Sequence, residues 1–155
     1  MAFNENFYIG YRRNIVKFNE VLVSLLIPFL KPNQHFVAYK QSRRRNNDID
    51  IVNMAFSLDL NVDLTVKKIR ISVGGMGPTT RVAGETANAL KNRPFNRDLV
   101  ELAISCLVYE FSQTLDVPKA MVKYRETLVI SFFFKFFLTV KKLIGGFYIL
   151  DLSPF

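Results

Sequence analysis

The hydrophobic and polar positions of this chain alternate with a period of two through most of its first half. Such alternation predicts strands over 20–27, 34–43, 55–60 and 65–73. In the last of these strands one side is apolar and the other is mostly polar, which is typical of an antiparallel sheet with one covered face. Prolines and asparagines after residue 27 predict the turn that ends the first strand.

Helical periodicity replaces this alternation after the glycine cluster 74–77. It predicts helices over 81–91, 96–111 and 121–143, with Pro118 ending the connection before the last of them. Thr79 or Thr80 is expected to cap the first helix, and residues 46–48 a short helical turn over 49–53. Strands followed by helices predict an α+β fold: a small antiparallel sheet of three to four strands packed on one face by about three helices.

The last predicted helix has an unusually wide apolar surface. Its polar positions recur every four residues and form one narrow stripe. We therefore expect this helix to be buried from several sides, with a neighbouring part of a larger protein completing its cover. It is short for a bilayer span, and its basic face is thin for a membrane-surface helix. The stripe consists of Lys123, Thr127, Ser131, Lys135 and Thr139.

The glycine cluster invites comparison with a phosphate-binding loop. It lacks both the GxGxxG spacing and the lysine of a P-loop. We expect instead a strand-to-loop turn that requires a positive φ angle.

Composition indicates one ordered domain without its own metal or disulfide chemistry. Half of the 155 residues are apolar and fifteen are phenylalanine, which argues against a disordered chain. The single cysteine, Cys106, excludes an internal disulfide or a four-cysteine cluster. The single histidine, His35, leaves no zinc cluster, and we expect it on the surface at the start of a strand.

The net charge of +8 permits binding to nucleic acid, an acidic membrane surface or a phosphate-bearing cofactor. The signatures of common nucleic-acid modules are lacking, so no nucleic-acid partner and no membrane partner are expected. The start of the chain lacks a secretory signal, which suits the cytoplasm.

Lys40 is the most informative residue. It lies in line with Phe36 and Ala38 on what looks like the buried side of the second strand. Burying an unpaired charge is costly, so the pattern indicates an anionic or electron-rich partner. In the alternative interpretation the lysine extends its ammonium group to the sheet edge.

The stretch 39–49, Tyr-Lys-Gln-Ser-Arg-Arg-Arg-Asn-Asn-Asp-Ile, resembles part of the flavin domain of the molybdenum hydroxylases, the xanthine dehydrogenases and aldehyde oxidases. Three other stretches resemble that domain in the same order. Residues 10–12 with 20–28 look like its lead-in strand, 74–80 like its glycine turn, and 121–136 like its closing helix. The resemblance implies a lead-in over 1–19, a CO dehydrogenase flavoprotein C-terminal-like domain over 20–143, and an atypical tail over 144–155.

The resemblance also implies roles for particular residues. Lys40 matches a lysine that approaches the flavin ring, and Leu22 an apolar residue packed beside that ring. Asn46 and Asn47 stand before Asp48 where the family often has two or three acidic residues, which leaves the choice between NAD and oxygen as electron acceptor open. The loop that gates the acceptor would comprise Arg44, Arg45, Asn47 and Asp48.

By resemblance, the chain is the C-terminal portion of an FAD domain and an incomplete part of an oxidoreductase, with little activity alone. FAD would be its cofactor, while 2Fe-2S clusters and molybdopterin would bind outside it. Its partners would be the remaining enzyme domains and NAD or oxygen, in a cytoplasmic or peroxisomal homodimer. The alternative is a basic interaction module that binds a partner or acidic surface through Arg43–Arg45 and the Phe-rich helix.

Overall fold

The computed structural model describes residues 4–112 and 121–145. The first two strands are short and form a two-stranded hairpin. The next four strands form an antiparallel sheet in which they are arranged in chain order. Three helices follow, so the predicted α+β class is confirmed. In chain order the elements are β1 (Tyr8–Gly10), β2 (Arg13–Asn14), β3 (Gln34–Gln41), β4 (Val52–Leu60), β5 (Val66–Gly74), β6 (Arg81–Val82), α1 (Gly84–Leu90), α2 (Arg97–Ser112) and α3 (Val122–Gly145).

The sheet has one face covered by helices, as the alternating pattern predicts. On that face Val37, Phe56 and Ile71 lie side by side on adjacent strands, and the latter two are fully buried. A register shift between Asp59 and Leu60 lets Val66 pair with Leu60. Val66 therefore joins the buried face although simple alternation assigns it to the polar one.

Helix α3 packs on β3, β4 and α2. The rings of Phe136 and Phe56 stack with centroids 4.4 Å apart and an 8° interplanar angle, and Phe137 meets Phe95 at 4.9 Å. Most of the wide apolar surface of α3 is thus covered within the chain, while Phe134 remains 49% exposed. The inference that this helix needs a neighbouring domain for its burial is therefore wrong for most of its surface. No described helix is both long and apolar enough to cross a membrane.

The prediction of a strand over 20–27 is wrong for the chain alone. The segment forms no strand, and Val23 and Leu26 are 91% and 97% exposed. A strand requires a neighbour to accept its backbone hydrogen bonds, and this segment has none within the described sheets. An apolar segment left uncovered in this way is typical of an interaction site.

We expect the isolated chain to self-associate through this segment. The double substitution Val23→Lys with Leu26→Lys should raise the dissociation constant for self-association by at least about tenfold, because both side chains lose apolar contact area. Sedimentation equilibrium would measure the change. Val62→Lys is the matched control, since Val62 is 96% exposed but lies in the β4–β5 turn. Equal effects of the two variants would contradict the prediction.

The predicted helical turn over 49–53 is also wrong. The Ile51 amide donates to the Gln41 carbonyl at 2.7 Å, and β4 begins at Val52. Backbone pairing with β3 therefore occupies residues 51–53, within the stretch where the helical turn was expected.

The first helix begins later than predicted. Arg81 and Val82 pair with β5 as β6, so α1 starts only at Gly84. Thr79 and Thr80 do not cap it. The carboxylate of Glu110 on α2 does so, accepting hydrogen bonds from the Glu85 amide at 3.2 Å and the Thr86 amide at 2.9 Å.

The glycine turn after β5 is confirmed. Gly75 has a φ of 89°, and a Cβ built there would lie 2.2 Å from the Ile51 carbonyl oxygen. Arg125 on α3 lies over this close approach. Its Nη1 donates to the Gly75 carbonyl at 2.7 Å and also to the Ile51 carbonyl. One side chain of α3 thus holds the start of β4 next to the end of β5.

Two predicted features fall outside the described residues. These are the end of the connection at Pro118 and residues 146–155 of the predicted tail, whose first two residues, 144 and 145, belong to α3.

Candidate functional site

Lys40 lies near the end of β3, on the face of the sheet turned away from the helices, here called the open face. Its neighbours along this face, Phe36 and Ala38, are exposed. The expectation that Lys40 lies on the buried side is wrong, because Val37 and Tyr39 occupy that side. The Tyr39 hydroxyl group forms a 2.8 Å hydrogen bond with Thr139 Oγ1 on α3, in which either oxygen can be the donor. This bond holds the side chain of Tyr39 on the helix-covered face.

The Lys40 ammonium has two described oxygen partners. Its Nζ lies 3.2 Å from Asp50 Oδ1 and 3.4 Å from the Asp48 carbonyl oxygen. The other oxygen of Asp50 accepts a hydrogen bond from Asn53 Nδ2 at 2.9 Å. The lysine side chain is 47% exposed and that of Asp50 is 28% exposed. The cation is therefore paired and still accessible from solvent.

The arginine turn (residues 43–48) follows directly after β3. The Asp48 carboxylate organises the turn by accepting hydrogen bonds from the Arg44 amide at 2.8 Å and the Ile49 amide at 2.9 Å. Asn47 adopts a φ of 52°, a conformation that asparagine tolerates better than most residues. The Arg44 side chain is 75% exposed, and Arg45 is exposed as well. The turn has a fixed backbone and presents its guanidinium groups to solvent.

Next to Lys40 the open face is flat. Ala38, Ala55 and Ser72 lie side by side across three strands. In the next row, Lys40 pairs with Asn53 on β4, and Asn53 pairs with Gly74 on β5. A Cβ atom at Gly74 would come within 2.7 Å of the Asn53 side-chain amide. A planar ring can lie against such a surface with a cation at its edge, so these residues fit a flavin.

The structure brings Lys40, Arg44, Asn47 and Asp48 together at one end of β3. It does not bring Leu22 into the sheet, since Leu22 belongs to the uncovered segment and is 56% exposed. Within residues 4–112 and 121–145, no group of three or more His, Cys, Asp or Glu side chains could hold a metal ion.

Sequence reasoning missed Asp50. With β4 beginning at Val52, Asn53 pairs with Lys40 across the two strands. Asp50 then lies just before β4, within reach of the Lys40 ammonium group. The helical turn expected over 49–53 concealed this arrangement.

Comparison with known sequences gives consistent matches. The relatives include the xanthine dehydrogenase/oxidase of Gallus gallus, 41% identical over 138 residues, which is 88% of this chain and 10% of the relative. The xanthine dehydrogenase of Calliphora vicina is 38% identical over 135 residues, covering 86% of this chain and 10% of the relative. The chain spans about a tenth of the length of these relatives.

Solved structures share the fold. A carbon monoxide dehydrogenase from Hydrogenophaga pseudoflava superposes with a TM-score of 0.71 at 19% identity, over 84% of this chain and 44% of that chain. Quinoline 2-oxidoreductase from Pseudomonas putida 86 also gives a TM-score of 0.71 at 19% identity, over 92% of this chain and 48% of that one.

The model of the CO dehydrogenase flavoprotein C-terminal domain matches residues 37–140. This range contains most of β3, the arginine turn, the residues of the open face next to Lys40, and most of α3. The chain belongs to the CO dehydrogenase flavoprotein C-terminal domain family.

Proposed function

We propose that this chain forms one wall of the FAD site in a xanthine dehydrogenase-like molybdenum hydroxylase. The observation that supports this most directly is the accessible ammonium group of Lys40, which lies at the edge of the flat open face and inside the family match. The enzyme itself, an oxidoreductase acting on purines or aldehydes, would need domains in addition to the one described, since the relatives are about ten times as long as this chain.

FAD, when bound, supplies the redox chemistry that passes electrons to an acceptor. Lys40 would stabilise negative charge on the reduced ring, since a fixed cation interacts most strongly where water is partly excluded. Ala38, Ala55 and Ser72 would leave room for the ring. Leu22 would exclude water from it once another part of the enzyme covers its segment.

The arginine turn would lie on the acceptor side. Arg44 and Arg45 would attract the phosphates of NAD, and Asn47 and Asp48 would fix the loop that carries them. Oxygen is the alternative acceptor. We also propose a homodimer of the complete enzyme, xanthine dehydrogenase or aldehyde oxidase in type, and a cytoplasmic location, with the peroxisome as the alternative.

The proposal can be tested in a chimera. This chain would replace the matching segment of the full-length Gallus gallus enzyme, to which it is 41% identical. We expect the chimera to retain FAD. Lys40→Ala should weaken FAD binding by about tenfold, the effect of losing one charge-assisted contact. Titration followed by flavin fluorescence would measure it.

Lys67→Ala provides the matched control, because Lys67 is an exposed lysine of β5, which β4 separates from the strand that carries Lys40. It should leave FAD affinity unchanged. A chimera that folds but does not bind FAD, or binds it equally well without Lys40, would contradict the proposed function.

A further inference from the structure

Asp50 is the one described carboxylate that pairs with the Lys40 ammonium group, at 3.2 Å. Its position is fixed from a second direction, because its other oxygen accepts the 2.9 Å hydrogen bond from Asn53. Asn53 is the direct cross-strand partner of Lys40. The carboxylate is therefore held beside the lysine by the register of β3 and β4.

This arrangement has two electrostatic consequences. The negative charge of Asp50 offsets the positive field of Lys40 at any group bound on the open face. The ion pair also holds the ammonium group toward the arginine turn, so a bound ring must compete with Asp50 for it. Exposed pairs of this kind are weak, typically well below the strength of a buried pair. A ligand can therefore displace this one at modest cost.

We infer that Asp50 is a positioning residue that acts through Lys40 and sets how strongly reduced flavin is stabilised. The inference rests on the proposed function and extends it. Asp50 would lower the midpoint potential of the flavin relative to a site in which Lys40 had no counter-ion.

Asp50→Asn is the appropriate variant. The asparagine oxygen can still accept the hydrogen bond from Asn53, so the change removes the charge and largely preserves the shape. In the chimera it should favour reduced over oxidised flavin by about fivefold, the upper end expected for an exposed ion pair. For a two-electron couple this is an upward shift of about 20 mV, measurable by dye-equilibrium titration.

Two controls separate the charge effect from a structural one. Glu101→Gln removes an exposed carboxylate from α2 and should leave the potential unchanged. Asp50→Asn introduced into a Lys40→Met background should have a clearly smaller effect, because only the direct, longer-range field of Asp50 on the flavin then remains.

A measurement without flavin completes the test. In the full 155-residue chain, the ion pair should slow exchange of the Lys40 Nζ protons with water, so that their NMR signals are visible. Asp50→Asn should abolish these signals. Unchanged signals together with an unchanged potential would overturn the inference while leaving Lys40-dependent FAD binding intact. If FAD bound independently of Lys40, the proposed function and this inference would both be wrong.

Discussion

Replacing Phe136 with alanine is expected to lower the free energy of unfolding by about 3–5 kcal/mol, the usual cost of removing a buried aromatic ring. Phe136 is fully buried. Its ring stacks on Phe56 at 4.4 Å and meets the edges of Phe133 and Phe95 at 5.9 and 6.4 Å. The cavity left behind would separate α3 from the centre of the sheet. For a domain with a total stability of about 5–15 kcal/mol, this loss would remove a large part of the stability, and nearly all of it at the low end of the range.

Phe134→Ala is the matched control for this prediction. It removes the same ring from the same helix, but Phe134 is 49% exposed. We expect it to cost less than about 1 kcal/mol, because surface substitutions rarely cost more. Urea denaturation followed by circular dichroism would measure both variants. Similar losses would show that α3 does not pack on the sheet as described.

Replacing Arg125 with methionine is expected to lower the free energy of unfolding by about 2–6 kcal/mol, the cost of leaving two hydrogen-bond acceptors without their donor. The guanidinium group donates to the Gly75 carbonyl at 2.7 Å and to the Ile51 carbonyl. Methionine preserves most of the aliphatic stem but leaves both partly buried carbonyls without this donor, and each unsatisfied group costs about 1–3 kcal/mol. The turn at Gly75 would then lose the contact that holds it against the start of β4.

Lys123→Met tests whether charge alone explains such a loss. It removes a positive charge from an exposed position in the first turn of the same helix. The two unfolding midpoints can be compared directly in urea. A loss for Lys123→Met as large as that for Arg125→Met would contradict the role assigned to the Arg125 hydrogen bonds.

The sequence predicts those elements whose burial depends on neighbours within the chain. The alternation of β5 and the phenylalanines of α3 predict strand and helix because each apolar face meets another described element. The position of Lys40 at the end of β3 was also predictable, but its face was not. Both sides of that strand carry apolar residues, and only the placement of the helices decides which side is covered.

Other features depend on contacts between distant parts of the chain. The pairing of Arg125 with the Ile51 and Gly75 carbonyls joins residues far apart in sequence, and no local pattern indicates it. The strand expected over 20–27 has the correct composition but lacks a partner among the described strands. Secondary structure of this kind is set by tertiary context rather than by local propensity.

The cap that Glu110 provides for α1 has a consequence for the order of folding. Helix α1 has only seven residues, too few to be stable in isolation, because initiating a helix is costly. Its first amides become satisfied only when the Glu110 carboxylate is in place, near the carboxyl end of α2. We therefore expect α1 to become stable only after α2 has formed and docked, even though α1 precedes α2 in the chain.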